Sequence, residues 1–243
     1  ATSGGDRAAA AEHTRQMTVG LPANDQSGTY AVRTGVRKAC CAPDSADEQA
    51  ALLAHLQRRG YSEARLLPGL PGRYRIRYGH REQPLVSIIV PTKDQLPILQ
   101  RCVESLLEKT AYANYELLIV DNASETAEAR AWLAGVEQMG EEKVRVLRYP
   151  HPFNYSAINN MAAREARGEY LVLLNNDTAI ISETWLDDLL NHAQRPEVGI
   201  VGAKLLYPNG KIQHAGVVLG LRGPADHPFI GEPMDAAGYM QRL

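Results

Sequence analysis

Leu85-Val-Ser-Ile-Ile-Val-Pro-Thr-Lys-Asp94 is the stretch on which the fold turns. An apolar run stops at Pro91 and passes straight into the polar triplet Thr92-Lys93-Asp94, as a strand buried on both faces does when it reaches a loop. A helix follows, opening near Pro97, with Leu99, Cys102, Val103, Leu106 and Leu107 on one stripe. The unit then repeats. Tyr115-Glu-Leu-Leu-Ile-Val120 delivers Asp121-Asn122, and Ser124 can cap a helix carrying Trp132, Leu133, Val136 and Met139. Val144-Arg-Val-Leu-Arg-Tyr149 alternates, which places it nearer a sheet edge. Ser156 can open a helix that runs to Gly168, before Tyr170-Leu-Val-Leu-Leu174 and Asn175-Asn176-Asp177. Ser182 opens another helix, with Leu186, Leu189 and Leu190 inward. Val198 to Ala203 reads as a fifth strand and Val217 to Leu219 as a returning one, after a turn at Pro208-Asn209-Gly210. Strands alternating with amphipathic helices predict an α/β fold with a mostly parallel sheet flanked by helices.

Working outward, residues 1–45 are rich in Ala, Gly, Thr and Ser without sustained periodicity, and read as a flexible leader. Residues 46–83 read as a small helix-plus-strand segment: Ala51, Leu52, His55 and Leu56 recur at helical spacing up to Gly60, and Arg73 to Tyr78 alternates as an edge strand. The domain proper is expected at 84–243. Charge divides at the same place, with 12 basic against 8 acidic residues up to Glu82 and 14 against 20 beyond it. The tail from Arg222 to Tyr239, rich in Gly, Pro and Asp, reads as a mobile lid or undocked end.

Over 243 residues, 26 Lys and Arg stand against 28 Asp and Glu, so no net positive field holds a nucleic acid. Cys40, Cys41 and Cys102 make neither a metal-ligand spacing nor an even disulfide set, which fits a reducing cytoplasm. No apolar run approaches the roughly 18 residues of a membrane span. A start at Ala1 and a stop at Leu243 suggest a piece of a longer protein.

In open α/β sheets ligands bind beyond the carboxyl ends of the strands, where loops converge and helix N-termini present positive partial charge. Thr92-Lys93-Asp94, Asp121 to Ser124 and Asn175-Asn176-Asp177 all fall there. Asp and Asn also favour plain turns, so the convergence of three such triplets carries the inference. The dinucleotide fingerprint, the P-loop and the G-x-S-x-G elbow are all missing, which disfavours NAD, ATP and α/β-hydrolase machinery.

Val86 to Asp94, Ile119-Val-Asp-Asn-Ala-Ser124, Phe153-Asn-Tyr-Ser-Ala-Ile-Asn-Asn160 and Leu173-Leu-Asn-Asn-Asp-Thr178, in that order and spacing, resemble the nucleotide-sugar half of a glycosyltransferase family 2 enzyme. The resemblance covers about Pro84 to Ala215 and is similar to bacterial surface-polysaccharide transferases, including rhamnosyltransferases; residues 42–78 look like the segment that often precedes this domain in large members. It implies a GT-A fold and sugar transfer from a UDP-, dTDP- or GDP-linked donor to a saccharide acceptor. Pro91, Thr92 and Asp94 would border the nucleoside, Asp121 would accept from base or ribose, and Asn122, Ser124 and Asn159 would complete the donor site. Asp177 matches the last acid of the family's D-x-D element, which binds Mn²⁺ or Mg²⁺ bridging the diphosphate. The corresponding expectation is a cytoplasmic protein, which in full length can sit peripherally at the inner face of the membrane.

The chain departs from the family pattern in places. Asn175 stands where many members carry the first Asp, so Asn175 and Asn176 are expected to give polar contacts rather than charge. Ile158 stands where many carry a basic residue. His214 is a guess for the donor or metal site, against a purely structural role. No acidic motif precedes a helix after Leu219, so the general base of the inverting mechanism is expected beyond Leu243 and no catalytic residue is assigned. The rival readings are a non-catalytic nucleotide-binding scaffold and, behind it, a nucleotidyltransferase, whose Gly-rich basic loop is missing.

Overall fold

The computed structural model describes the backbone of residues 15–19 and, in full, residues 46–68, 74–139, 142–221 and 223–236. Cys40, Cys41, residues 69–73 and the leader apart from 15–19 lie outside these. Six parallel strands form the main sheet: β1 (Arg15–Val19), β4 (Val86–Thr92), β5 (Tyr115–Asp121), β6 (Val144–Arg148), β7 (Tyr170–Leu174) and β8 (Val201–Gly202). Their order is β6-β5-β4-β7-β1-β8. The expected class, an α/β sheet flanked by helices, is the one observed.

Helices α2 (Leu96–Lys109), α3 (Ala127–Met139) and α5 (Trp185–Ala193) cover one face, and α4 (Tyr155–Glu165) covers the other. The period of two along a strand explains the division. Val86, Ile88 and Val90 of β4 meet Leu99, Leu106, Leu133 and Trp185, whereas Ile89 meets Ile158 and Ala162. Both faces of β4 and β5 are therefore apolar, as a covered parallel strand requires. Leu106 is fully enclosed, and Leu106→Ala would cost about 2–5 kcal/mol through lost transfer energy plus a cavity.

At the amino edge of the sheet, Glu116 is buried among donors. Its carboxylate accepts from Ser87 Oγ at 2.6 Å, the Arg167 N–H at 2.7 Å, Arg167 Nε at 2.8 Å and Arg145 Nη1 at 3.1 Å. Ser87 Oγ in turn accepts from the Gly168 N–H at 2.8 Å. Only glycine fits at 168, because a Cβ there would lie 2.6 Å from Ser87 N and 2.8 Å from Leu85 O.

A small separate core lies before the sheet, where α1 (Ala46–Arg58) packs on the antiparallel pair β2 (Arg65–Pro68) and β3 (Tyr74–Arg77). Leu52, Leu56, Tyr74, Ile76 and Tyr78 fill it. Asn191 of α5 clamps this unit much as a strand neighbour would. Its Oδ1 accepts from the Tyr78 N–H at 2.9 Å, its Nδ2 donates to Ile76 O at 2.9 Å, and its carbonyl accepts from His80 Nε2 at 3.0 Å. Arg77 adds an ion pair with Asp188.

Several local readings change. Residues 15–19, inside the expected leader, pair with β7 and β8; five residues of mixed polarity give no periodic signal, and pairing on both sides makes the strand. The fifth strand shrinks to Val201–Gly202. The expected returning strand is β11 (Val218–Leu219), paired with β12 (Ala225–Asp226). The tail is docked through 236: Phe229 and Met234 pack on Leu206 and Ile212 of the hairpin β9 (Leu205–Leu206) and β10 (Ile212–His214). Lys204 Nζ also donates to Met234 O at 2.6 Å. Sparse apolar residues among Gly and Pro hid that small core.

Candidate donor site

The carboxyl ends of β4, β5 and β6 stop in register, with Thr92 opposite Asp121 and Asp121 opposite Arg148. Asp121 is almost wholly buried. Its Oδ1 accepts from the Ser124 N–H at 3.0 Å and from Ser124 Oγ at 2.6 Å, and its Oδ2 accepts from Arg148 Nη1 at 2.8 Å. Arg148 also grips Glu137, at 2.8 Å and 3.1 Å. A carboxylate has about four acceptor positions, so this one is oriented and retains capacity for another donor.

The first loop is tied to the second. The Asp94 N–H donates to Ser124 Oγ at 2.9 Å, and Asp94 Oδ1 accepts from the N–H groups of Glu125 and Thr126 at 2.7 and 2.8 Å. Asp94 thus caps the approach to α3, a task the sequence suggested for Ser124, whose hydroxyl is spent on Asp121. Chiefly the Thr126 N–H, with burial opposing and the Glu125 N–H helping, holds the Asp94 carboxyl below its usual range. Lys93 pairs with Glu125 at 2.9 Å. Asn122 Nδ2 donates to the carbonyls of Tyr149 and His151 at 3.1 and 2.8 Å, fixing the third loop.

Backbone strain collects here. Asp94, Gln95 and Ala123 have φ of 52°, 50° and 55°, and they are three of the four non-glycine residues with positive φ among the described residues. Such conformations cost about 1–3 kcal/mol each and persist where the surroundings over-determine them.

Asn176 Nδ2 donates to Thr92 Oγ1 at 3.1 Å, joining the end of β7 to that of β4. Asn175 and Asp177 are exposed. The Thr178 hydroxyl donates to Asn175 O at 2.8 Å, and Cys102 Sγ lies 3.7 Å from the same carbonyl. Burial, with a smaller push from Asp177 against the Thr178 hydroxyl, raises the Cys102 thiol to about 11. Pro91 is half-buried at the end of β4. α4 is capped by Asn154 rather than Ser156, since Asn154 Oδ1 accepts from the Ala157 N–H at 3.0 Å. Asn159 is buried, not on a solvated face: Nδ2 donates to Tyr155 O at 2.8 Å, and Oδ1 is buried without a partner. An unpaired buried acceptor is expensive.

His214 pairs with His227, Nδ1 to Nδ1 at 2.8 Å. Burial first, then His227, lowers the His214 imidazole pKa. Among the described residues no group of three or more His, Cys, Asp or Glu is arranged to hold a metal ion. Asp177 therefore offers one exposed carboxylate beside two amides. An all-oxygen set of that size fits a hard divalent ion whose remaining ligands are phosphate oxygens and water. Arg148 escaped the sequence reading, because what marks it is its register opposite Asp121, which only the sheet supplies.

An open parallel sheet with its polar side chains gathered at the carboxyl edge is an α/β ligand-binding design. Residues 87–227 match the model of glycosyl transferase family 2, and the chain belongs to that family. It is 50% identical over 179 residues to O-antigen biosynthesis protein RfbC of Myxococcus xanthus, covering 74% of this chain and 14% of that protein. It is 48% identical over 194 residues to the uncharacterized protein y4gI of Sinorhizobium fredii, covering 79% and 21%. The chain thus spans only a small part of these relatives. Among solved structures, the mannosyltransferase PcManGT of Pyrobaculum calidifontis, in complex with GDP-Man and Mn2+, has a TM-score of 0.43 at 18% identity, covering 62% of this chain and 43% of that one. Among the described residues no helix is long and apolar enough to cross a membrane.

Proposed function

We propose that this chain is the donor-binding part of an inverting glycosyltransferase that takes a sugar from a nucleoside diphosphate and passes it to a saccharide acceptor in surface-polysaccharide synthesis. The observation that carries the reading is the joint edge of β4, β5 and β7, where an oriented, buried Asp121 shares one loop network with Thr92 and Asn176 and leaves Asp177 exposed. Asp121 accepts from the base or ribose, while Pro91, Thr92 and Asp94 shape the wall around the nucleoside. Asn122 and Ser124 hold the loops, and Asn159, whose Oδ1 lacks a partner, is assigned to the donor side. Asn175 and Asn176 contribute polar contacts, and Asp177 holds Mn²⁺ or Mg²⁺. That ion, when bound, neutralises the charge of the leaving diphosphate. His214 is kept as a lesser candidate ligand through Nε2, since His227 engages its Nδ1. The general base and acceptor site are assigned to other parts of the full protein, and work beside a membrane face is part of the same proposal.

Thermal melting with UDP, dTDP and GDP, each with and without Mn²⁺, tests the reading. Ligand at about 100 times its dissociation constant stabilises by about 2.7 kcal/mol. One nucleotide should raise the melting temperature only with metal present, and Asp177→Ala should remove that increment. A panel with no shift refutes donor binding. A metal-independent shift that survives Asp177→Ala favours the scaffold reading.

A further inference from the structure

A concavity of about 400 Å³ opens between the small N-terminal unit and the end of α5. That volume lies within the ~300–1,000 Å³ usual for small-molecule sites, which favour junctions between folded units. It is remote from the donor site. Helix α5 runs back against the parallel strands, so its end at Gln194 reaches the amino edge of the sheet, where Gln194 Nε2 donates to Glu82 O at 3.3 Å, shortly before β4 begins.

The walls are fixed in advance. Gly79 has φ +74° and sits so close to Glu63 that a Cβ would lie 2.4 Å from its carbonyl oxygen. Tyr78 forms a buried floor, with the Arg195 guanidinium 4.7 Å from its ring centre. Tyr61 stands edge-on to Tyr78 at 4.8 Å, its hydroxyl donating to Glu197 Oε2 at 3.2 Å. His80 gives Nε2–H to Asn191 O at 3.0 Å, which leaves Nδ1 for a ligand. Ser62, Arg81 and Gln194 also line the cleft.

Charge decides which ligand fits. Arg81 pairs with Glu63 at 2.9 Å, and Arg59 pairs with Glu197 at 3.1 Å. Arg195 foremost holds the Glu197 carboxyl down at about 2, so that acid stays ionised. Glu197 takes both Arg59 and Arg195, so each of the three arginines already holds a carboxylate, and the one positive charge in excess sits with Arg195 against the Tyr78 ring, outside the lining. What remains is an aromatic ring flanked by planar and hydroxyl donors and acceptors, which suits a molecule with one apolar C–H face and a rim of hydroxyls.

We propose that this cleft binds an uncharged pyranose, which lies against Tyr61 and bonds Arg81, Gln194 and His80 through its hydroxyls. The site is separate from the donor site and gives the chain a second, non-catalytic hold on glycan.

Saturation-transfer NMR on the whole chain, with methyl glycosides of glucose, galactose, mannose and rhamnose and no nucleotide, tests this. At least one glycoside should receive saturation; Tyr61→Ala should abolish it, and Arg81→Ala should weaken binding about tenfold, the loss of one hydrogen bond to a charged group. The Arg81 side chain is 81% exposed, so its removal spares the fold and decides the matter if Tyr61→Ala fails to fold. Asp177→Ala should leave the signal intact, which separates this site from sugar entering the donor site. No transfer from any glycoside, transfer unchanged in Arg81→Ala, transfer lost in Asp177→Ala, or displacement by inorganic phosphate overturns the proposal.

Discussion

Arg148 Nη1 donates to Asp121 Oδ2 at 2.8 Å, across two strand ends that face each other in register. The arginine is half exposed while the carboxylate is buried, so the pair is anchored from the solvent side. Glu137 completes the anchor on the outer edge of α3. The partly wet geometry makes the pair a small contributor to stability and a larger one to the orientation of Asp121.

Arg148→Met is therefore expected to lower the melting temperature only slightly, corresponding to about 1 kcal/mol or less. Nucleotide affinity, measured by calorimetry, should fall about tenfold, because Asp121 loses the donor that fixes its plane. Unchanged affinity would mean that Ser124 alone orients the carboxylate.

Glu116→Gln is expected to destabilise the chain at neutral pH by about 1–3 kcal/mol, since it leaves buried donors poorly matched. Burial alone would raise the Glu116 carboxyl pKa; the donors on Ser87, Arg167 and Arg145 outweigh it, and the value is lowered. A folded-state pKa below the unfolded one gives stability that is complete above the ordinary carboxylate range and is lost as pH falls through the folded value. Urea midpoints taken from neutral pH into acid should fall more steeply in the parent than in Glu116→Gln. Parallel slopes would refute the linkage.

Cys102 should resist alkylation in the native state. Its thiol is buried and raised to about 11, so at pH 8 the thiolate is scarce and enclosed. Peptide mapping after iodoacetamide should find Cys102 modified only once urea unfolds the chain. Modification in native buffer at the rate of a free thiol would show that the turn at Asn175 to Thr178 opens.

Asn191→Leu removes the side-chain bonds to Tyr78 and Ile76 while keeping the helical residue. The small unit should loosen from α5, and trypsin should cut near Arg81 faster than in the parent, with the melting of the main sheet little changed. Equal proteolysis rates would assign the docking to Arg77–Asp188 and Arg195 instead.

By itself the sequence determined the four strands and four helices between Val86 and Ala193 and the three polar strand ends, because apolar periodicity and turn chemistry are local properties. Leu85 to Val90 reads as an apolar strand that stops at Pro91, and Asp121 as the end of the next one. The sequence could not say that Asp94 caps the approach to α3 across two loops, that Arg148 reaches Asp121, or that His214 meets His227, since residues 13 to 32 positions apart are matched only when strands align. Nor could it give β1 or the docked tail. Short segments of mixed polarity acquire structure from the neighbours they pair with, and those neighbours are chosen by the packing of the whole domain.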